Sequence, residues 1–193
     1  MGEEATKTIQ TRLHLASGER SWLHDARLAS HEIFNDTIRL KQQGYTRTEI
    51  QKEVDRDDFL RNNKCAVVGK ALQTWDSYQS LKEWWENQDD PDGGKPTPPS
   101  TDNSGAYPLV MAHTEGYRLT VDDDTNRVQF RISPKPYKKV TGHLRGEPGA
   151  MDELREALTS DEVDMGQAEL LYCDGVYYLH VTVTREFDVP EPD

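Results

Sequence analysis

Two cysteines, Cys65 and Cys173, are all the sulfur ligands this 193-residue chain has. Without a third or fourth, a four-cysteine zinc site within the chain is excluded, and no disulfide framework can be read from it. Both are expected to be reduced, buried thiols. Long apolar runs are also missing: no stretch approaches the roughly 20 residues that span a bilayer. The opening Met1 to Gln10 is acidic and polar, where a secretory leader has a basic segment followed by an apolar one. The expectation is a soluble cytoplasmic protein with no membrane partner.

Catalytic signatures are lacking too. The chain contains no GxSxG, HExxH, GxxxxGK[ST] or GxGxxG, so neither an activated serine nor a phosphate loop has support. The six histidines are scattered, and only His24 and His31 could share a helix face, without a third ligand beside them. Carboxylates are numerous, but they lie in turn-like runs such as Asp122-Asp123-Asp124, where solvated faces are the rule. No catalytic residue, metal ligand or cofactor is assigned, and the expected activity is binding.

What is abundant is negative charge. The net charge is −12 with 34% hydrophobic residues, enough apolar content for one moderate domain or two small ones. Such a charge opposes nucleic-acid binding in general. Yet arginine outnumbers lysine and the acids recur in surface-like runs, the composition a high-salt cytoplasm favours, so the acidity can report habitat instead of partner.

Periodicity divides the chain. Thr8 to Leu15 alternates, with Ile9, Leu13 and Leu15 on one side, and predicts an opening strand. From Glu19 to Gln43, Trp22, Ala26, Ala29, Ile33 and Leu40 fall at helical spacing and Gly44 ends the pattern. Thr46-Arg47-Thr48-Glu49 is a capping box that starts a short helix through Val54. Val67, Ala71, Trp75, Tyr78, Leu81 and Trp85 predict a third helix over 63–87. Residues 88–104, rich in Pro, Gly and Asp, are expected to form a flexible linker.

Beyond it the period shifts to two. Strands are predicted over 107–112, 117–121, 128–132, 137–144, 168–172 and 176–184, with a helix over 151–158 and an Asp174-Gly175 hairpin turn. The expected fold is α+β: a small antiparallel β-barrel from residues 1–18 and 105–189, with residues 19–87 as a helical insertion after the first strand.

Basic residues that an acidic chain retains in clusters are the candidate site. Lys135, Lys138 and Lys139 beside Tyr137, followed by Arg145, combine phosphate-seeking charge with a stacking ring. Arg47, Lys52, Arg61, Lys64 and Lys70 form a second set on the helices. The first two helices and the turn at Gly44-Tyr45-Thr46 also match a helix-turn-helix, a common pattern without DNA contact. A DNA-binding regulator of that kind and an acidic protein-interaction module therefore stay open as alternatives.

In this order, the Thr8 to Leu13 strand, the helix with His31 to Asn35, the helix from Asn63 to Trp85 and the terminal hairpin Leu171 to Val183 resemble the N-terminal half of the TnpB (OrfB transposase) family of RNA-guided nucleases. The acidic composition is similar to that of haloarchaeal members. The resemblance implies a wedge-type barrel with a recognition insertion that binds guide RNA and a target-adjacent motif on duplex DNA, base pairing reading the rest. It places motif reading on Thr46, Arg47 and Gln51, on Lys64 and Val68, and on His113 and Thr114. The family's RuvC carboxylates and Cys-x-x-Cys element have no counterpart here, so the resemblance implies a non-catalytic lobe whose nuclease region lies outside this chain, or a free-standing binding protein.

Because residues 88–104 carry no apolar side chain and loop closure depends weakly on length, deleting half of them is expected to lower the melting temperature by less than about 4 °C. Differential scanning calorimetry of the shortened chain checks it.

Overall fold

A computed structural model of the chain describes residues 2–88, 94–100 and 107–188. Its first strand, β1 (Gly2–Ser17), is followed by three helices, α1 (Arg20–Gln42), α2 (Arg47–Glu53) and α3 (Arg61–Glu86). Then come β2 (Leu109–Met111), β3 (Tyr117–Val121), β4 (Val128–Lys135), β5 (Lys138–Arg145), α4 (Pro148–Thr159), β6 (Val163–Cys173) and β7 (Val176–Asp188). The seven strands form one antiparallel sheet in the order β2-β6-β7-β1-β5-β4-β3. The expected α+β class, with a helix after the first strand, is the fold observed. The sheet is a curled half-barrel with β2 and β3 as its two edges. Residues 112–116 join those edges, and the Tyr117 hydroxyl donates to the Gly166 carbonyl at 2.7 Å, tying β3 to β6 across the interior.

Local chemistry accounts for the element ends. Helix α1 closes in a Schellman arrangement: Gly44, at φ 88°, donates to Lys41 and Tyr45 donates back to Leu40. Thr46 caps α2 through the reciprocal box with Glu49. Asp174 and Gly175 both take positive φ, 49° and 81°, the type I′ geometry that matches the twist of the β6–β7 hairpin.

Alternation does the sorting on the sheet. Ile9, Thr11 and Leu13 of β1, Val128, Phe130 and Ile132 of β4, and Leu179, Val181 and Val183 of β7 point inward. Leu23, Ala26, Ile33 and Phe34 of α1 and Met151, Leu154 and Ala157 of α4 join them, so helices and sheet share one core. Of the linker expected at 88–104, residues 89–93 and 101–104 lie outside the described residues, and 94–100 contain neither helix nor strand. The thiols differ from expectation: Cys65 is half-buried, and Cys173 is exposed because it ends β6 beside the turn, past the last inward residue. Among the described residues, no helix is long and apolar enough to cross a membrane.

At Gly142 the backbones of β5 and β1 pass so closely that a β-carbon would collide with the His14 carbonyl oxygen and come within 2.9 Å of the Phe130 ring. Gly142→Ala is therefore expected to destabilise the fold by about 2 kcal/mol, a fall of roughly 4–8 °C in thermal denaturation. An unchanged midpoint would contradict the β1–β5 register.

Candidate nucleic-acid interface

The residues singled out from the sequence fall into three places. Thr46, Arg47 and Gln51 sit on α2. The Thr46 hydroxyl is engaged in the helix cap, where it donates to Glu49 at 2.7 Å, and that bond holds the Glu49 carboxyl below its ordinary range. Arg47 is exposed and lies over Gly69 of α3; Gln51 is half-buried. His113 and Thr114 occupy the exposed turn between β2 and β3, with Thr114 at φ 75°. Burial first, then the Arg118 charge, lowers the His113 imidazole below its usual value. Lys135, Tyr137, Lys138 and Lys139 cluster at the β4–β5 turn. There the Tyr137 ring is fully exposed, Lys138 lies 4.8 Å over the Trp22 ring, and Lys135 pairs with Asp25 at 2.8 Å.

Two assignments are corrected. Val68 has no exposed surface; with Lys64, Val67 and Ala71 it forms the i, i+3, i+4, i+7 face by which α3 enters the core. It can touch no nucleic acid. Lys64 is 6% exposed and its ammonium bonds Asp55, whose carboxyl that bond lowers. Its aliphatic stem packs inside while the head reaches the rim, so its role is structural.

The three lysines of α3 are neutralised. Lys64 pairs with Asp55, Lys70 with Glu169 and Lys82 with Glu86. The outer face of the sheet is the opposite case. Register sets Arg118 of β3 beside Arg131 of β4, and Arg145 of β5 beside Arg12 of β1, which neighbours Tyr178 of β7. Between these rows lie Thr120, Gln129, His143 and His14, each opposite the next. Among the described residues, Arg12, Arg118, Arg127, Arg131 and Arg145 form no ion pair.

Three adjoining grooves, of about 500, 730 and 400 Å³, run over this face and share His143, Arg127 and Arg145 among their walls. Asp122 and Glu147 are the carboxylates that line them. Asp122 is already engaged, accepting from Thr125 and from Gln129 at 2.6 Å, and the Thr125 bond chiefly lowers its carboxyl. Of this face, reading the sequence picked out Arg145 alone. The others lie at 12, 118, 127 and 131; alternation marked Arg12, Arg118 and Arg131 only as outward positions, and Arg127 falls in the turn between the strands predicted over 117–121 and 128–132. No group of three His, Cys, Asp or Glu side chains among the described residues could hold a metal ion.

Comparison with protein-family models finds no family that matches the chain, and comparison with curated proteins finds no match.

The burial of Lys64 distinguishes packing from recognition. Lys64→Ala is expected to cost about 2 kcal/mol of folding stability through the lost stem contacts, while Lys64→Met, which keeps the stem, costs less than about 1 kcal/mol. Urea denaturation of the two variants checks the ordering.

Proposed function

We propose that this chain is a non-catalytic nucleic-acid-binding lobe that holds phosphodiester backbones on the outer face of its sheet, in the manner of the recognition half of a TnpB-like RNA-guided system. The observation that carries the reading is charge segregation. In a chain of net charge −12, five arginines converge on one face and form no ion pair among the described residues, while Lys64, Lys70 and Lys82 of α3 are each paired. Local phosphate contacts respond to the charge of that face more than to the sum.

Two structural features support the TnpB-like form of the reading. The first strand lies between β5 and β7, both from the far end of the chain, and the helices follow it directly as an insertion. Those helices share a core with the sheet, where an independent helix-turn-helix regulator would pack as a bundle of its own. The exposed Arg47, His113 and Thr114, the half-buried Gln51 and the Tyr137 turn then supply contacts to the duplex motif, and the arginine rows hold guide RNA, its partner in that system.

A salt titration tests this. With four phosphates held by Arg12, Arg118, Arg131 and Arg145, affinity for an RNA or DNA duplex is expected to fall about a hundredfold between about 50 and 200 mM salt. Arg118→Ala with Arg131→Ala should reduce the log–log slope by about 2, and Lys138→Ala with Lys139→Ala should flatten it more weakly because Lys138 is held over Trp22. No binding to either duplex, or binding that salt and these changes leave alone, sinks the reading and favours a protein-interaction module.

A further inference from the structure

We infer that His14 and His143 form a phosphate-binding pair at the centre of the arginine face, and that seating a phosphodiester there draws a proton onto the pair. The inference rests on the nucleic-acid reading above and names the group that the face contacts at its middle. It also gives the face a dependence on pH that arginines alone cannot supply.

The geometry begins with register. His14 of β1 stands directly opposite His143 of β5, with ring centroids 4.4 Å apart, and Gln129 of β4 stands opposite His143 on its other side. One arginine row lies a residue pair away along the strands in each direction, roughly 7 Å at the rise of a β-strand. A phosphate chain crossing the strands over the histidines thus has a guanidinium within side-chain reach on both flanks.

In the free protein His143 is set against carrying charge. The Arg145 Nε–H donates to His143 Nε2 at 3.2 Å, so that nitrogen serves as an acceptor. Burial, then the His14, Arg145 and Arg127 charges, lower the His143 imidazole below its ordinary value. The groups facing it are these. From β1 come His14 and Arg12, from β5 Arg145, from β4 the neutral Gln129, and from the β3–β4 turn Arg127 and Asp122. Arg155 of α4 also lines the adjoining groove and is paired with Asp152. Arg118 and Arg131 line the groove on the His143 side, and Arg20 and Glu147 the groove on the His14 side. Of the two carboxylates in this set, Asp122 and Glu147, Asp122 is taken up by Thr125 and Gln129.

A bound phosphate opposes the charge contributions to this, though not the burial. Its negative charge offsets the surrounding guanidiniums, and its oxygens accept a hydrogen bond from a ring nitrogen only if that nitrogen carries a proton. Arg145, drawn to the same anion, releases Nε2. The imidazole value therefore rises on binding, and the complex holds more protons than its separated parts. By linkage, affinity rises as pH falls through the imidazole range, and the gain disappears above it.

The test is calorimetric titration of the full chain with a fully paired RNA duplex, and separately with a DNA duplex of the same sequence, at about pH 7.5 and about pH 5.5. Buffers of different ionisation enthalpy report the protons taken up. The expected result is net uptake and an affinity at least about threefold higher at the lower pH, with the stronger arm identifying RNA or DNA as the source of the phosphates. His14→Gln with His143→Gln should remove the uptake and the gain, whereas Arg118→Ala with Arg131→Ala should weaken binding and keep both. If neither duplex binds at either pH, the nucleic-acid reading itself falls. If a duplex binds with no proton uptake, or with uptake that survives in the double histidine variant, the reading stands and the histidine inference is overturned. Should the double variant fail to fold, the proton count on the unaltered chain still decides, since binding without uptake contradicts the pair.

Discussion

Strand β1 meets β7 along residues Gly2 to Arg12 and β5 along Arg12 to Ser17, so that at Arg12 both ladders are present at once. One side of the half-barrel is the meander β3-β4-β5, the other is β2 with the β6–β7 hairpin, and β1 is the strand that pairs with both among the described residues. The join brings the first residues of the chain against its last strands. Its loop-closure cost grows only slowly with the length enclosed, which makes a long helical insertion after β1 tolerable. The insertion is then held by burial: α1 and α3 bring Leu23, Ile33, Phe34, Val67 and Ala71 into the sheet's own core.

The same join builds the outer face. Arg118, Arg131 and Arg145 belong to the meander, and the β1–β5 pairing adds Arg12 and His14 to the surface they share. Gly142 is where that pairing is tightest, on the strand that carries His143 and Arg145. Architecture and charge thus depend on one ladder. The cost is electrostatic, because like charges on neighbouring strands repel, and no carboxylate among the described residues pairs with these arginines. An anion bound across the strands offsets that cost, which gives the arrangement a physical reason for lacking internal partners.

Elsewhere the chain does the reverse. Lys7, Lys64, Lys70, Lys135, Arg56 and Arg185 all have carboxylate partners, most across distant elements. Exposed pairs of this kind contribute little to stability, but they neutralise part of the basic charge elsewhere on the surface. Where ionic strength is high and long-range attraction is screened to a few ångströms, direct contact with phosphate at the arginine face matters more than steering from afar.

The sequence by itself determined the elements. The 3.6-residue spacing of Ala26, Ala29 and Ile33, the capping box at Thr46, the stop at Gly44 and the Asp174-Gly175 turn each encode a local conformation that depends on neighbours within a few positions, and each stands in the structure as expected. The face of α3 that enters the core holds the Val67 and Ala71 of the periodic pattern, and the tertiary structure showed that Val68 and Lys64, contacts implied by the resemblance, belong to that same packed face. It also decided which distant arginines meet. Alternation states that Arg12, Arg118, Arg131 and His143 point outward but carries no information on strand order, and strand order and register alone turn four isolated polar positions into one charged surface.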